Sequence, residues 1–195
     1  MTAGGPAGKI IEDKMAKKKL SKKEIYKRAA KVKLLLTDVD GVLTDTGVYY
    51  SSEGEELKRY SIRDGMGIER LRQICGIDTG IITRENTPIV ASRAKKLHIT
   101  ELHMGVMEKG ATLDEICIGR GIKPEEVAYM GDDTNDLDIM AKAGLSACPN
   151  DATKFAKDAA HLIVESKGGY GAIRDLCEII IEAKCPPVKK KKSKK

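Results

Sequence analysis

Short apolar runs at Lys33–Thr37, Asp78–Ile82, Thr100–His103, Val127–Met130 and Leu145–Ala147 punctuate this chain, with a further candidate at His161–Val164. Amphipathic stretches near residues 65–75, 86–96, 108–120, 135–143, 152–157 and 171–184 lie between and after them. Apolar runs this short are strand-like, and the intervening stretches have helical period. A strand that is apolar on both faces must be covered on both, and a strand–helix–strand repeat is closed by right-handed crossovers. The expected fold is therefore α/β, a three-layer Rossmann-like sandwich around a mainly parallel sheet. Ligands of such sheets bind beyond the carboxyl ends of the strands, so the residues just after each run are the candidates for chemistry.

One segment breaks the alternation. Residues 47–61, Gly-Val-Tyr-Tyr-Ser-Ser-Glu-Gly-Glu-Glu-Leu-Lys-Arg-Tyr-Ser, read as a β-hairpin around a Ser-Ser-Glu-Gly turn. It follows the first strand directly and is too small for a lid domain, so it is expected to project over the site.

Composition sets the class. A hydrophobic content of 41% supports one core, which must be aliphatic, because there is one Phe and no Trp in 195 residues. No apolar run approaches the ~20 residues that cross a bilayer, and no signal-peptide core opens the chain; the expectation is a soluble, cytoplasmic protein. The formal charge of +6 is unevenly placed. Residues 1–31 hold ten Lys/Arg against three acids and residues 184–195 hold seven Lys and no acid, so the ends carry +14 and residues 32–183 about −8. The division expected is a basic N-terminal extension over 1–31, a domain over 32–184 and a Lys-rich disordered tail over 185–195. Lys-rich ends of this kind are read as solvated faces, and nucleic acid is not an expected partner. Five cysteines without a C-x-x-C pair read as reduced thiols, and His98, His103 and His161 lack metal-ligand spacing.

The first run ends in Asp38 and Asp40, followed by Gly41. Continued strand period would turn both carboxylates to one face, where two like charges are costly unless a cation joins them. A hard ion such as Mg²⁺ suits an all-carboxylate site, and a phosphate ester would complete its shell. The other runs deliver Thr83, Arg84 and Glu85, then Lys109 at a helix start, then Gly131-Asp132-Asp133-Thr134-Asn135-Asp136. Taken singly, Asp-x-Asp-Gly is a turn or a calcium loop, Gly-Asp-Asp a common turn, and Lys109 a solvated helix end. Together at strand ends they supply what metal-assisted phosphoryl transfer needs: acids, a hydroxyl and a lysine.

Asp38-x-Asp40-Gly-Val-x-Thr44, Thr83, Lys109 and Gly131-Asp-Asp-x-x-Asp136 resemble, in order and spacing, the four motifs of the haloacid dehalogenase superfamily of phosphatases. The hairpin, Ser61-Ile-Arg-Asp-Gly65 and Gly168-Gly-Tyr-Gly-Ala-Ile-Arg174 resemble its capless branch, the 3-deoxy-D-manno-octulosonate 8-phosphate phosphatases. The resemblance implies a Mg²⁺-dependent phosphomonoester hydrolase that removes the terminal phosphate of a 2-keto-3-deoxy sugar acid through an aspartyl-phosphate. It makes Asp38 the nucleophile and Asp40 the acid/base, whose backbone carbonyl also binds metal. Asp38, Asp40 and Asp132 are the implied metal ligands, with Asp133 and Asp136 in support. Thr83 and Lys109 would hold the phosphoryl group, and Lys109 would steady Asp38. The implied substrate contacts are Asp40, Ser61, Ile62, Arg63, Asp64, Gly65, Glu85, Arg93, Lys96 and Lys109. In that family the Gly-rich segment reaches a neighbouring subunit's site within a homotetramer; read from residues alone it is equally a linker before the last helix. Arg63 and Arg93 serve a sugar acid and a surface ion pair equally well.

Substrate identity stays open. The octulosonate type continues its second motif as Thr-Gly-Arg, whereas this chain has Thr83-Arg84-Glu85. Arg suits a substrate carboxylate and Glu suits hydroxyls. Glu85 with Arg93 and Lys96 resembles the subgroup that acts on 2-keto-3-deoxy-nononate or sialic acid 9-phosphates. A reading from another class is a non-catalytic partner of a sugar-nucleotide synthetase, docking through the basic ends.

Overall fold

A computed structural model describes residues 20–185. The expected Lys-rich tail beyond Cys185 and the first nineteen residues of the basic extension lie outside the described residues.

Six parallel strands form the sheet: β1 (Leu34–Thr37), β4 (Asp78–Ile82), β5 (Glu101–His103), β6 (Val127–Met130), β7 (Leu145–Cys148) and β8 (Leu162–Ile163). Their order is β5-β4-β1-β6-β7-β8. Chain order runs outward from β1 through β4 to β5, then returns to β6 on β1's other side. The direction therefore reverses between β1 and β6, and the crevice at their carboxyl ends is where such a sheet binds ligands. The inner strands β1, β6 and β7 are buried on both faces, while the edge strands β5 and β8 are half-buried. Leu34 and Leu36 point into one core and Leu35 into the other, following the two-residue period.

Those two cores define the layers. Helices α1 (Lys22–Ala29), α2 (Ile62–Cys75), α3 (Pro88–Lys96) and α7 (Ala172–Lys184) cover one face. Helices α4 (Lys109–Arg120), α5 (Leu137–Lys142) and α6 (Lys154–Ala159) cover the other. Local signals set their ends: Ser21 and Glu24 form a capping box, Thr87 caps α3 ahead of Pro88, and Gly121 ends α4 in the left-handed region.

β2 (Thr44–Ser51) and β3 (Gly54–Tyr60) form the expected hairpin as a separate two-stranded sheet, with Val48, Tyr49, Tyr50 and Leu57 exposed. The expected α/β sandwich with a hairpin in place of a cap is the observed fold.

The expected boundary at residue 31 moves. Ile25, Ala29 and Val32 are buried in the core beside α7. The Tyr26 hydroxyl donates to Glu182, and Lys184 Nζ donates to the Val32 carbonyl. α1 therefore belongs to the folded unit. Its lysines hid this, because Lys22, Lys23 and Lys27 are exposed.

Candidate active site

Asp38 follows β1 and is held on both carboxylate oxygens. Its Oδ1 accepts from its neighbour Val39 N at 2.7 Å, and its Oδ2 lies 2.7 Å from Lys109 Nζ and 3.4 Å from Asn135 Nδ2. Lys109 opens α4, is fully buried, and reaches Asp136 Oδ1 at 2.7 Å as well. The buried Tyr129 hydroxyl donates to the same Asp136 oxygen, while Asp136 Oδ2 accepts from Asp132 N at 2.9 Å and Asp133 N at 3.3 Å. Asp136 thus ties the loop after β6 to Lys109, and Lys109 ties it to Asp38. A charged network of this kind is tolerable under burial because its members are paired and hydrogen-bonded.

Carboxylate oxygens of Asp38, Asp132 and Asp136 lie within 4.8 Å of one another. Burial and the Asp136 charge push Asp38 up to about 6, against the pull of Lys109. Burial with the charges of Asp136 and Asp38 pushes Asp132 up to about 8. Burial opposes the Lys109 ammonium, yet Asp38 and Asp136 outweigh it and raise its pKa. Three carboxylates against one lysine leave negative charge in excess, and this oxygen set fits a hard divalent cation. Gly41 lets the turn after β1 approach: at φ +76° it presents a face where a Cβ would stand 1.9 Å from Asp132 Oδ2.

The expected sharing of one volume by the Asp38 and Asp40 side chains is corrected here. The chain leaves the strand after Asp38 and turns tightly, with Val42, Leu43 and Thr44 N–H groups all donating to the Val39 carbonyl. The Asp40 carboxylate is carried away from the three-carboxylate group. Its Oδ1 accepts from Thr44 Oγ1 at 3.2 Å and its Oδ2 lies 2.7 Å from Lys58 Nζ. In the side-chain cluster Asp136 stands in its place.

Thr83 follows β4, next to β1, and is buried, its hydroxyl accepting from Glu85 N at 3.2 Å. Glu85 is exposed, and its charge is felt at Lys58. Asp133 caps the 3₁₀ turn Thr134–Asp136 through Thr134 N.

Among the expected substrate contacts, several have structural work. Ser61 caps α2 by accepting from Arg63 N and Asp64 N. Asp64, 1% exposed, accepts from Gly171 N and Arg174 N and so fastens α2 to the start of α7. Both of its oxygens thus already accept a backbone N–H, which gives Asp64 a structural role. Gly65 is buried under the Arg93 guanidinium, where a Cβ would meet Nη2 at 2.9 Å. Arg93 donates to the Ser61 carbonyl at 2.8 Å and stacks over Tyr60 at 5.2 Å. Ile62, Arg63 and Lys96 are exposed; Ile62 and Arg63 line a shallow depression with Arg59, Tyr60, Ser61 and Tyr170.

The Gly-rich segment packs against the turn after β1 of its own chain. Gly169 N donates to the Val42 carbonyl at 2.9 Å, and a Cβ on Gly168 would strike the Gly41 carbonyl at 1.9 Å. Here glycine permits backbone-to-backbone packing behind the Asp38–Asp40 turn.

Lys58 and Tyr129 were missed as site residues by sequence reasoning, and Asn135 was named in the Gly131–Asp136 run without a role. Tyr129 carried a faint signal, a phenol inside a strand otherwise aliphatic. Lys58 carried none that set it apart from its basic and acidic neighbours.

Residues 66–174 match the family model of haloacid dehalogenase-like hydrolases. The 3-deoxy-D-manno-octulosonate 8-phosphate phosphatase of Yersinia pestis is 40% identical over 160 residues, 82% of this chain and 85% of the relative. Its crystal structure superposes with a TM-score of 0.80 over 84% of this chain and 88% of that one, at 39% identity. The Moraxella catarrhalis enzyme, solved in complex with magnesium, phosphate and KDO, gives a TM-score of 0.79 at 36% identity, covering 82% of this chain and 91% of that one.

Proposed function

This chain belongs to the haloacid dehalogenase-like hydrolase family and is a phosphatase, and from that premise we propose that it cleaves 3-deoxy-D-manno-octulosonate 8-phosphate, with Mg²⁺, through an aspartyl-phosphate. The observation that carries this reading is the meeting of Asp38, Lys109, Asp136 and Asp132 at the β1/β6 crevice. The named relatives support the choice of sugar acid.

Asp38 attacks phosphorus as a carboxylate, held in line by Val39 N–H and Lys109. The ester P–O bond breaks as the Asp38–phosphorus bond forms, and Asp40 gives its proton to the departing alkoxide. A water then attacks the aspartyl-phosphate, loses a proton to Asp40, and frees Asp38 and inorganic phosphate. Thr83 and Lys109 hold the phosphoryl oxygens in both steps. The side chains of Asp38 and Asp132 with the Asp40 carbonyl would hold Mg²⁺, and Asp136 and Asp133 brace the loop. Bound there, Mg²⁺ neutralises phosphate oxygens and offsets the carboxylate excess.

A second reading, a nononate or sialic acid 9-phosphate, is supported by Glu85, whose exposed carboxylate suits the extra hydroxyls of a longer sugar acid. We assign catalysis to the unit containing α1 through α7. A homotetramer is supported by the exposed Val48, Tyr49, Tyr50 and Leu57 of the hairpin, and a reducing, cytoplasmic setting by five free cysteines. Among the described residues no helix is long and apolar enough to cross a membrane.

The test is phosphate release from the eight- and nine-carbon acid phosphates, compared as kcat/KM. Release is expected to require Mg²⁺ and to fall by at least ~10³-fold in Asp38→Asn. Turnover that survives both chelation and that substitution overturns the mechanism; a preference for the nine-carbon acid overturns the substrate.

A further inference from the structure

The hairpin touches the reaction centre through a side chain to which the mechanism above gives no part. Lys58 lies in β3, and its side chain is 1% exposed. Nζ stands 2.7 Å from Asp40 Oδ2 and 3.5 Å from Glu55 Oε1. Asp40 itself sits in a turn, with its side chain one-third exposed (33%), and no strand ladder fixes it. Its two oxygens are instead gripped by one donor from each strand of the hairpin: Thr44, the first residue of β2, and Lys58 of β3. A buried ammonium keeps its place only when paired, so the grip is mutual. The same corner holds buried polar atoms with no hydrogen-bond partner among the described residues, the Tyr60 hydroxyl and Arg93 Nε. Arg93 stacks on Tyr60, so this corner is walled by the hairpin's base and by α3.

We propose that Lys58 is a positioning residue for Asp40: the hairpin, which stands in place of a cap domain, orients the acid/base side chain through the hydrogen bond from Lys58 Nζ to Asp40 Oδ2. The proposal rests on the reading of Asp40 as the proton donor. It separates Lys58 from Lys109, which pairs with the nucleophile on the other side of the turn.

General-acid assistance matters only where the leaving group needs a proton. An alkoxide does, and 4-nitrophenolate does not, which makes the leaving group a probe of Asp40 alone. Single-turnover release of the leaving group is measured for Lys58→Met and wild type with 3-deoxy-D-manno-octulosonate 8-phosphate and with 4-nitrophenyl phosphate, in Mg²⁺. The expected result is a loss of ~10²-fold for the sugar phosphate and of less than about threefold for the nitrophenyl ester. Lys58→Arg, which keeps a charged donor, is expected to recover most of the sugar-phosphate rate. Asp40→Asn should show the same split, and Asp40→Asn with Lys58→Met should be no slower than Asp40→Asn alone. Equal losses on both substrates, or no loss on either, overturn the role of Lys58. A split in Asp40→Asn with none in Lys58→Met overturns this inference while leaving Asp40's role intact. No split in Asp40→Asn overturns that role first. If the Met variant does not fold, Lys58→Gln and Lys58→Arg carry the same comparison.

Discussion

Replacing Lys109 by Met removes the ammonium that opposes Asp38 and Asp136 and leaves the methylene stem in place. Lys109 is fully buried and holds both carboxylates at 2.7 Å. Removing one member of a buried ion pair costs about 3–5 kcal/mol, because the partner charge is stranded. For a domain of this size each kcal/mol lowers Tm by about 2–4 °C, so the expected loss near pH 8 is roughly 6–20 °C. The loss should depend on pH. Asp38 already titrates at about 6, above its ordinary 3.8, and losing Lys109 raises it further. A carboxyl raised in the folded state contributes stability below its unfolded value and forfeits it as pH rises through the folded one. Below pH 4 wild type and variant should nearly coincide, and the gap should widen towards pH 8. Calorimetry in chelator-treated buffer at pH 4, 6 and 8 measures this directly. A gap of under about 2 °C at pH 8, or one equally large at pH 4, would refute the argument that paired charge holds this loop.

The same linkage predicts the response to metal. Asp132 at about 8 and Asp38 at about 6 hold protons that a cation must displace, so Mg²⁺ should raise Tm more at pH 8 than at pH 5.5; an equal rise at both would contradict the carboxylate assignment. Gly41→Ala should cost about 1–2 kcal/mol from backbone strain alone at φ +76°, and should reduce Mg²⁺ affinity, because its methyl displaces Asp132. Titration calorimetry with Mg²⁺ on the folded variant checks this, and wild-type affinity would refute it. Removing residues 1–31 strips Ile25 and Ala29 from α7, so urea unfolding should show a loss of about 2–4 kcal/mol; an unchanged midpoint would restore the original boundary.

Local chemistry was legible from the start. Alternating short strands and amphipathic helices announced the layered parallel sheet, since period and length are properties of neighbours along the chain. Asp38, Thr83, Lys109 and Asp132 could be found because strand ends converge in any such fold. What stayed hidden depended on partners distant in sequence. α1 read as a charged extension because only α7, more than a hundred residues away, reveals its apolar side. The structural role of Asp64 was hidden because the two backbone N–H groups it accepts arrive from residues 171 and 174.

Asp38 and Asp40 show the division most clearly. Two acids spaced two residues apart after an apolar run determined by themselves that the chain ends a buried strand in negative charge, with a cation or phosphoryl chemistry to justify it. Only the tertiary structure decided where each carboxylate goes: Asp38 to Lys109, among the carboxylates of Asp132 and Asp136, and Asp40 to Thr44 and Lys58 of the hairpin. The physical reason is that one tight turn after Asp38 breaks the two-residue period, and from that point orientation is set by long-range pairing.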